Sequence, residues 1–243
     1  MNAYPEKQQY TADDLAAIIA ILRDPEGGCP WDKVQTHTSI RMNFLEEAYE
    51  AVDAIDLNDP ELLCEELGDV MMQVVFHAQI EREAGHFTFD EVCDGVCRKL
   101  IERHPHIFGG DESIKDWDSL KNKEKGRLTL ADDLESVPKA LPALMRAAKL
   151  QKRAARYGVQ TEAARIIHRP PRGGGEPGAP ADTVAAAAAA VETAPDKARA
   201  EQAMGQLLFA AAALARSAGI DPEQALQKCN AAFTTAHADN PES

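Results

Sequence analysis

The chain has 243 residues, 44% of them hydrophobic, and a formal net charge of −14. That leaves room for one large domain or two small ones with a buried core, and the acidic balance argues against a general surface for nucleic-acid polymers or anionic membranes. The five cysteines form no CxxC pair and no zinc spacing, no apolar run approaches the roughly 20 residues that span a bilayer, and no basic-plus-apolar leader opens the chain, so reduced thiols in the cytoplasm are expected.

Residues 11 to 23 read as a capped amphipathic helix with Leu15, Ile18, Ile19 and Leu22 on one side. It stops before Pro25, where Pro25-Glu26-Gly27-Gly28-Cys29-Pro30 forms a turn-rich loop ahead of Trp31-Asp32. A tryptophan so placed reads first as a packing anchor and second as a ligand contact. Two long helices follow, from about Thr38 to Leu57 and from about Pro60 to Ala84, with Asn58-Asp59-Pro60 as the turn between them and Gly85 as the C-terminal cap. Leu45, Ala48, Tyr49, Val52 and Ile55 form an apolar stripe on the first, and Leu63, Leu67, Val70, Met71, Val74 and Val75 form one on the second. The pattern is an antiparallel helical hairpin.

Two acidic groups interrupt these stripes. Glu47 and Glu50 lie 12 and 9 residues before Asp59, while Glu66 and Asp69 lie 7 and 10 after it, so the pairs stand within roughly 3 Å of the same level. Spacing of i, i+3 puts both carboxylates of each helix on one face. Four converging carboxylates repel one another, and apolar surroundings aggravate this unless cations neutralise them. All-oxygen ligation of this kind suits a hard divalent ion, Mg2+ first and Mn2+ as a substitute. One acidic run on a helix is usually a solvated face; two runs matched in level across a short turn weigh towards a metal site.

A further helix, from about Phe89 to Arg103, is expected to carry Val92, Val96 and Leu100 inward. Its Lys99 and Arg103 stand i, i+4, a spacing that lets two cations grip one polyanion and that equally describes solvated surface charge. His104-Pro105-His106 reads as a structural turn. Trp117 and Lys121 share a face of a helix from about Ile114 to Gly126, where an aromatic ring beside an ammonium suits a base and its phosphates, or a simple surface pair. The expected division is an N-terminal unit over residues 1–130, an acidic connector with a basic helix over 131–167, a Gly/Pro-rich flexible linker over 168–183, and an Ala-rich second unit over 184–243. That second unit should hold helices from about Thr183 to Glu192, Asp196 to Ser217 and Pro222 to Ala236.

The stretch from Gly68 to Phe76 matches the pattern from Gly205 to Ala213, and both then reach a glycine, Gly85 and Gly219. This points to a duplicated helical unit. Glu66 and Asp69 fall against Ala203 and Gln206, Glu47 and Glu50 against the run from Ala185 to Ala190, and Lys99 and Arg103 against Ala232 and Ala236. If either half does chemistry, it is the first.

Gly28-Cys29-Pro30-Trp31-Asp32, Gln35-Thr36-His37, Leu45-Glu46-Glu47-Ala48-Tyr49-Glu50, Glu66-Leu67-Gly68-Asp69 and Arg103-His104-Pro105-His106-Ile107-Phe108-Gly109 together resemble a MazG-type nucleoside triphosphate pyrophosphohydrolase. The resemblance runs from about Leu15 to Arg156 and fades from Gln160. It implies an all-α fold, active bundles assembled from two chains as a homodimer or higher homo-oligomer, and hydrolysis of NTPs or dNTPs to the monophosphate and pyrophosphate. It further implies Mg2+ ligation by Glu47, Glu50, Glu66 and Asp69 with Glu46 in support, triphosphate contacts from Lys99, Arg103 and Lys121, and stacking of the base on Trp117. Water would attack the α-phosphorus in line, oriented by Glu46 or Glu47. The eroded second unit departs from the family pattern and keeps an alternative in view, a catalytically weakened helical dimerisation or regulatory nucleotide-binding module. A di-iron carboxylate bundle would need ExxH pairs from two helices, and only Glu83-Ala84-Gly85-His86 has that form.

Overall fold

The computed structural model describes residues 4–109, 129–159 and 180–238, and every regular element among them is helical. The chain divides into two compact units, Met1–Lys115 and Asp116–Ser243. The expected helix from Ile114 to Gly126, with Trp117 and Lys121, lies outside the described residues, as do residues 168–179 of the expected linker.

In the first unit α1 spans Ala12–Leu22 and opens with a reciprocal cap: the Thr11 hydroxyl accepts from the Asp14 amide while the Asp14 carboxylate accepts from the Thr11 amide. A short 3-10 turn, Asp32–Val34, leads into α2, His37–Leu57, which Thr36 and Ser39 cap in the same reciprocal way. Helix α2 ends on Asn58 in the left-handed conformation, at φ 54°. Asp59 then accepts from the amides of Glu61 and Leu62 to start α3, Pro60–Glu83, whose Pro60 fills a position needing no amide donor. Helix α4 covers Phe89–Arg103. Where a bare turn is expected at His104-Pro105-His106, Pro105 instead starts a four-residue helix, α5, Pro105–Phe108, because proline is tolerated in a first helical turn.

Ile19 of α1, Ile40 of α2 and Val75 and Phe76 of α3 form the buried core, with Leu15, Leu22, Met72, Ile80 and Phe89 packed round it. Arg23 locks the loop after α1 onto this core. Its guanidinium forks onto the Glu83 carboxylate at 2.9 and 2.7 Å, donates to the carbonyls of Asp32 and Gln35 at 2.7 and 3.1 Å, and lies 5.1 Å from the Phe76 ring centre. Gly28 is required in the same loop, since a Cβ there would fall 2.4 Å from the Leu22 carbonyl oxygen.

Among the described residues much of the hairpin's apolar stripes is left uncovered. Leu45, Tyr49, Val52, Ile55, Leu67 and Met71 are all exposed, and Val92, Val96 and Leu100 of α4, expected to point inward, are exposed as well. The stripes exist as the periodicity requires, but α1 covers only the far end of the hairpin.

The second unit contains α6 (Leu130–Glu135), α7 (Ala143–Arg156), α8 (Pro180–Glu192), α9 (Lys197–Ser217) and α10 (Pro222–Ala238). The acidic stretch expected to be only a connector forms α6 because Thr129 and Asp132 make a capping box. Buried Asp133 then pairs with Arg153 of α7 at 3.1 Å, and Gln151 donates to the Phe209 carbonyl of α9 at 2.9 Å.

The two units share local features at the positions the sequence comparison aligns. Asp196 caps α9 as Asp59 caps α3. Buried Ala210, Ala212 and Ala213 stand at a constant offset from buried Gln73, Val75 and Phe76. Both helices end in the same motif: Gly85 at φ 77° and Gly219 at φ 71°, with the His86 amide on the Glu81 carbonyl and the Ile220 amide on the Ala215 carbonyl. Replacing Arg23 with alanine leaves Glu83 and two carbonyls without their shared donor, and is expected to lower stability by about 2–3 kcal/mol, read as a shifted urea midpoint with unchanged slope.

Candidate metal and nucleotide site

The turn at Asn58-Asp59 brings α2 and α3 back along each other. The pairing runs antiparallel: Gln73 donates to Glu47 at 3.4 Å near the middle of both helices, and His77, further along α3, meets His37 at the start of α2 at 2.7 Å. Between that contact and the turn, ligand atoms of Glu47, Glu66 and Asp69 all lie within 4.8 Å of one another, each side chain half-buried. Glu50, one turn beyond Glu47, is exposed at the edge of this group and adds its charge to both Glu47 and Glu66. Glu46 is exposed on the neighbouring flank of α2.

The electrostatics match the geometry. Burial, then the Asp69 charge and the adjacent Glu50, raise the Glu47 carboxyl above its ordinary value. Burial, then Glu50, Glu65 and Asp69, raise Glu66. Among the described residues no basic side chain forms an ion pair with Glu47, Glu50, Glu66 or Asp69. The charge that would relieve the crowding must therefore come from outside this set, and an all-carboxylate donor set with half-buried oxygens fits a hard divalent cation.

Gln73 was not singled out by the sequence reading. It is buried and donates to Glu47, so it holds one carboxylate oxygen in place. Its signal was available: an amide inside the apolar run from Val70 to Val75, one turn past Asp69 on the same face. Of the proposed phosphate cations, Lys99 is exposed and Arg103 is buried in the last turn of α4. The structure thus gathers Glu47, Glu66 and Asp69, sets Glu50 beside them, and leaves Trp117 and Lys121 outside the described residues.

The hairpin gathers three carboxylates, with a fourth exposed at their edge, into a candidate divalent-cation site of an all-α chain, and comparison with known proteins gives the family. Residues 35–108 match the MazG nucleotide pyrophosphohydrolase domain. The chain is 40% identical over 228 residues to a nucleoside triphosphate pyrophosphohydrolase of Escherichia coli strain K12, covering 91% of this chain and 83% of that one. It is 36% identical over 223 residues to the nucleoside triphosphate pyrophosphohydrolase/pyrophosphatase MazG of Thermotoga maritima, covering 91% and 82%. A Mycolicibacterium smegmatis protein named nucleoside triphosphate pyrophosphohydrolase is 37% identical over 167 residues. The chain belongs to the MazG family.

Raised carboxyl pKa values make the cation-free fold sensitive to pH in a defined direction. Stabilisation from protonated Glu47 and Glu66 is present below the unfolded carboxylate pKa and is lost as pH rises through their raised folded values. In EDTA, wild type should therefore lose stability relative to Asp69→Asn as pH rises above the ordinary carboxylate range. Mg2+ at 100 times its dissociation constant should return about 2.7 kcal/mol to the wild type and little to the variant, as read by thermal melts.

Proposed function

We propose that this chain hydrolyses ribo- and deoxyribonucleoside triphosphates at the α-phosphorus to the monophosphate and pyrophosphate, a nucleotide-pool housekeeping reaction. The observation that carries this reading is the convergence of Glu47, Glu66 and Asp69 in a MazG-family hairpin. Glu47, Glu50, Glu66 and Asp69 are the proposed ligands of Mg2+, with Mn2+ a chemically similar substitute. Mg2+ held there supplies Lewis-acid stabilisation of charge on the phosphate oxygens.

The remaining work falls to side chains. Glu46 and Glu47 are the proposed water-orienting carboxylates; Glu47 owes this role to its raised proton affinity and to Gln73, which fixes one of its oxygens. Lys99 and Arg103 on α4, with Lys121, balance the charge of the triphosphate and of the departing pyrophosphate. Trp117 offers a face for the base.

The open apolar stripes favour a homodimer or higher homo-oligomer as the working form, since a second copy of α2, α3 and α4 would cover Tyr49, Ile55, Met71 and Leu100. All five cysteines are free thiols, which supports a reducing, cytoplasmic setting. No single helix among the described residues is long and apolar enough to cross a membrane.

Purified protein incubated with Mg2+ and a panel of NTPs and dNTPs should release monophosphate and pyrophosphate. Glu50→Gln should reduce turnover at least about a hundredfold with the helices intact by circular dichroism. Diphosphate with phosphate as products would overturn the α-phosphorus assignment, and no turnover from folded protein would favour a regulatory nucleotide-binding module. Ile55→Glu, which places a charge on the open stripe, should shift the assembly to monomer in light scattering.

A further inference from the structure

Helices α8 and α9 form the hairpin of the second unit, and the place on it that answers to the carboxylate cluster is built from different chemistry. Ala203 and Gln206 stand where α3 carries Glu66 and Asp69, and in the same register Gln202 stands for Glu65 and Arg199 for Leu62. These four residues line a cleft of about 240 Å3, with Ala190 of α8 and Thr193 of the turn among its other walls. Arg199 alone among the lining residues is charged. A position that is acidic in the first unit is therefore cationic in the second.

The donors of this cleft are unspent. Among the described residues the Arg199 guanidinium and the Gln202 and Gln206 amides have no hydrogen-bond or ion-pair partner, whereas Gln73 and Gln151 are each tied to a neighbour. Arg199, Gln202 and Gln206 follow one another at i, i+3 and i+7, so they share one face of α9. The Thr193 hydroxyl already donates to the Ala189 carbonyl at 2.9 Å and adds no donor. The start of α9 is occupied too, since the Asp196 carboxylate accepts from the Arg199 amide at 2.8 Å. Side chains, not helix-terminal amides, carry the site. The carboxylates nearest in sequence, Glu192, Asp196 and Glu201, lie outside the lining.

From this arrangement we infer a metal-independent phosphate site, in which Arg199, Gln202 and Gln206 hold a phosphoryl group. Carboxylates in the first unit need a cation between themselves and a phosphate; here the protein supplies both the positive charge and the N–H donors. The guanidinium fork offers parallel donors to two oxygens, and each amide can turn its NH2 to another. That set suits a tetrahedral group with several oxygens better than a planar carboxylate with two. The cleft is smaller than the roughly 300–1,000 Å3 of ordinary small-molecule pockets, so the phosphoryl group enters and whatever it is attached to stays outside. Free phosphate, pyrophosphate and a nucleoside monophosphate share this chemistry. The last two are products of the proposed reaction, but the inference stands on the cleft and not on that reaction.

The test uses the full chain freed of divalent cations by dialysis, so that the carboxylates of the first unit repel anions. Titration calorimetry with inorganic phosphate, pyrophosphate and a nucleoside monophosphate, each at an ionic strength matched with chloride, should show one site per chain. Arg199→Ala should weaken binding about 10- to 100-fold, and Gln206→Glu, which restores a carboxylate, should abolish it. Asp69→Asn should leave it unchanged. Arg199 is exposed and Gln206 half-buried, so both variants should fold, as thermal melts verify. A preference for pyrophosphate or for the monophosphate supports the site and identifies its source; equal affinities support it with the phosphoryl group as the whole ligand. No binding of any of the three in the millimolar range, binding that appears only when Mg2+ is added, unchanged affinity in Arg199→Ala, or loss in Asp69→Asn would each overturn the assignment.

Discussion

Mutual repulsion among carboxylates at one level of the α2–α3 hairpin is the constraint to which the rest of the first unit answers. Glu47, Glu66 and Asp69 are held within 4.8 Å of one another, and no ion pair among the described residues quiets them. What keeps them together is everything further along the hairpin. Asn58 in the left-handed conformation and the Asp59 cap make the reversal tight, and the core of Ile19, Ile40, Val75 and Phe76 clamps the opposite end. Arg23 ties the preceding loop to that core through Glu83. Packing free energy gathered at the apolar end is spent on holding charge at the polar end, the usual bargain at a functional site.

Much of this was legible in the residues. Thr11, Thr36, Asp59 and Thr88 are strong cap signals, and the helices they open begin where those signals stand. The level-matching of Glu47 and Glu50 against Glu66 and Asp69 follows from rise per residue alone, and the structure brings three of the four together. Burial was less legible. Periodicity says that Val92, Val96 and Leu100 share a face; it does not say what, if anything, within one chain covers that face. Long-range polar ties were less legible still. Arg23 with Glu83, and His37 with Glu81, join residues far apart in sequence that carry no local pattern. The short helix from Leu130 was hidden by its acidic composition, although Thr129 and Asp132 announce its cap.

The two open stripes and the charged cluster lie on the same pair of helices, so assembly and chemistry are expected to be linked. Tyr49 and Val52 flank Glu50 in sequence, and Leu67 separates Glu66 from Asp69. Covering those apolar side chains would further desolvate the neighbouring carboxylates, which strengthens both their repulsion and their affinity for a cation. Each copy in an assembly would therefore set the electrostatic environment of its partner's site as well as its own.

The repeated hairpin has a different kind of consequence. Helix α9 starts on an aspartate cap as α3 does, buries three of the corresponding positions and stops on the same glycine motif, but carries Ala203 and Gln206 where α3 carries Glu66 and Asp69. The chain thus contains its own reference without those two carboxylates. Amide exchange from α3 and α9, measured in one sample, compares two versions of a single architecture under identical temperature and solvent. The difference in protection, once corrected for the alanine core, reads out in one molecule how much rigidity a hairpin gives up to become a site.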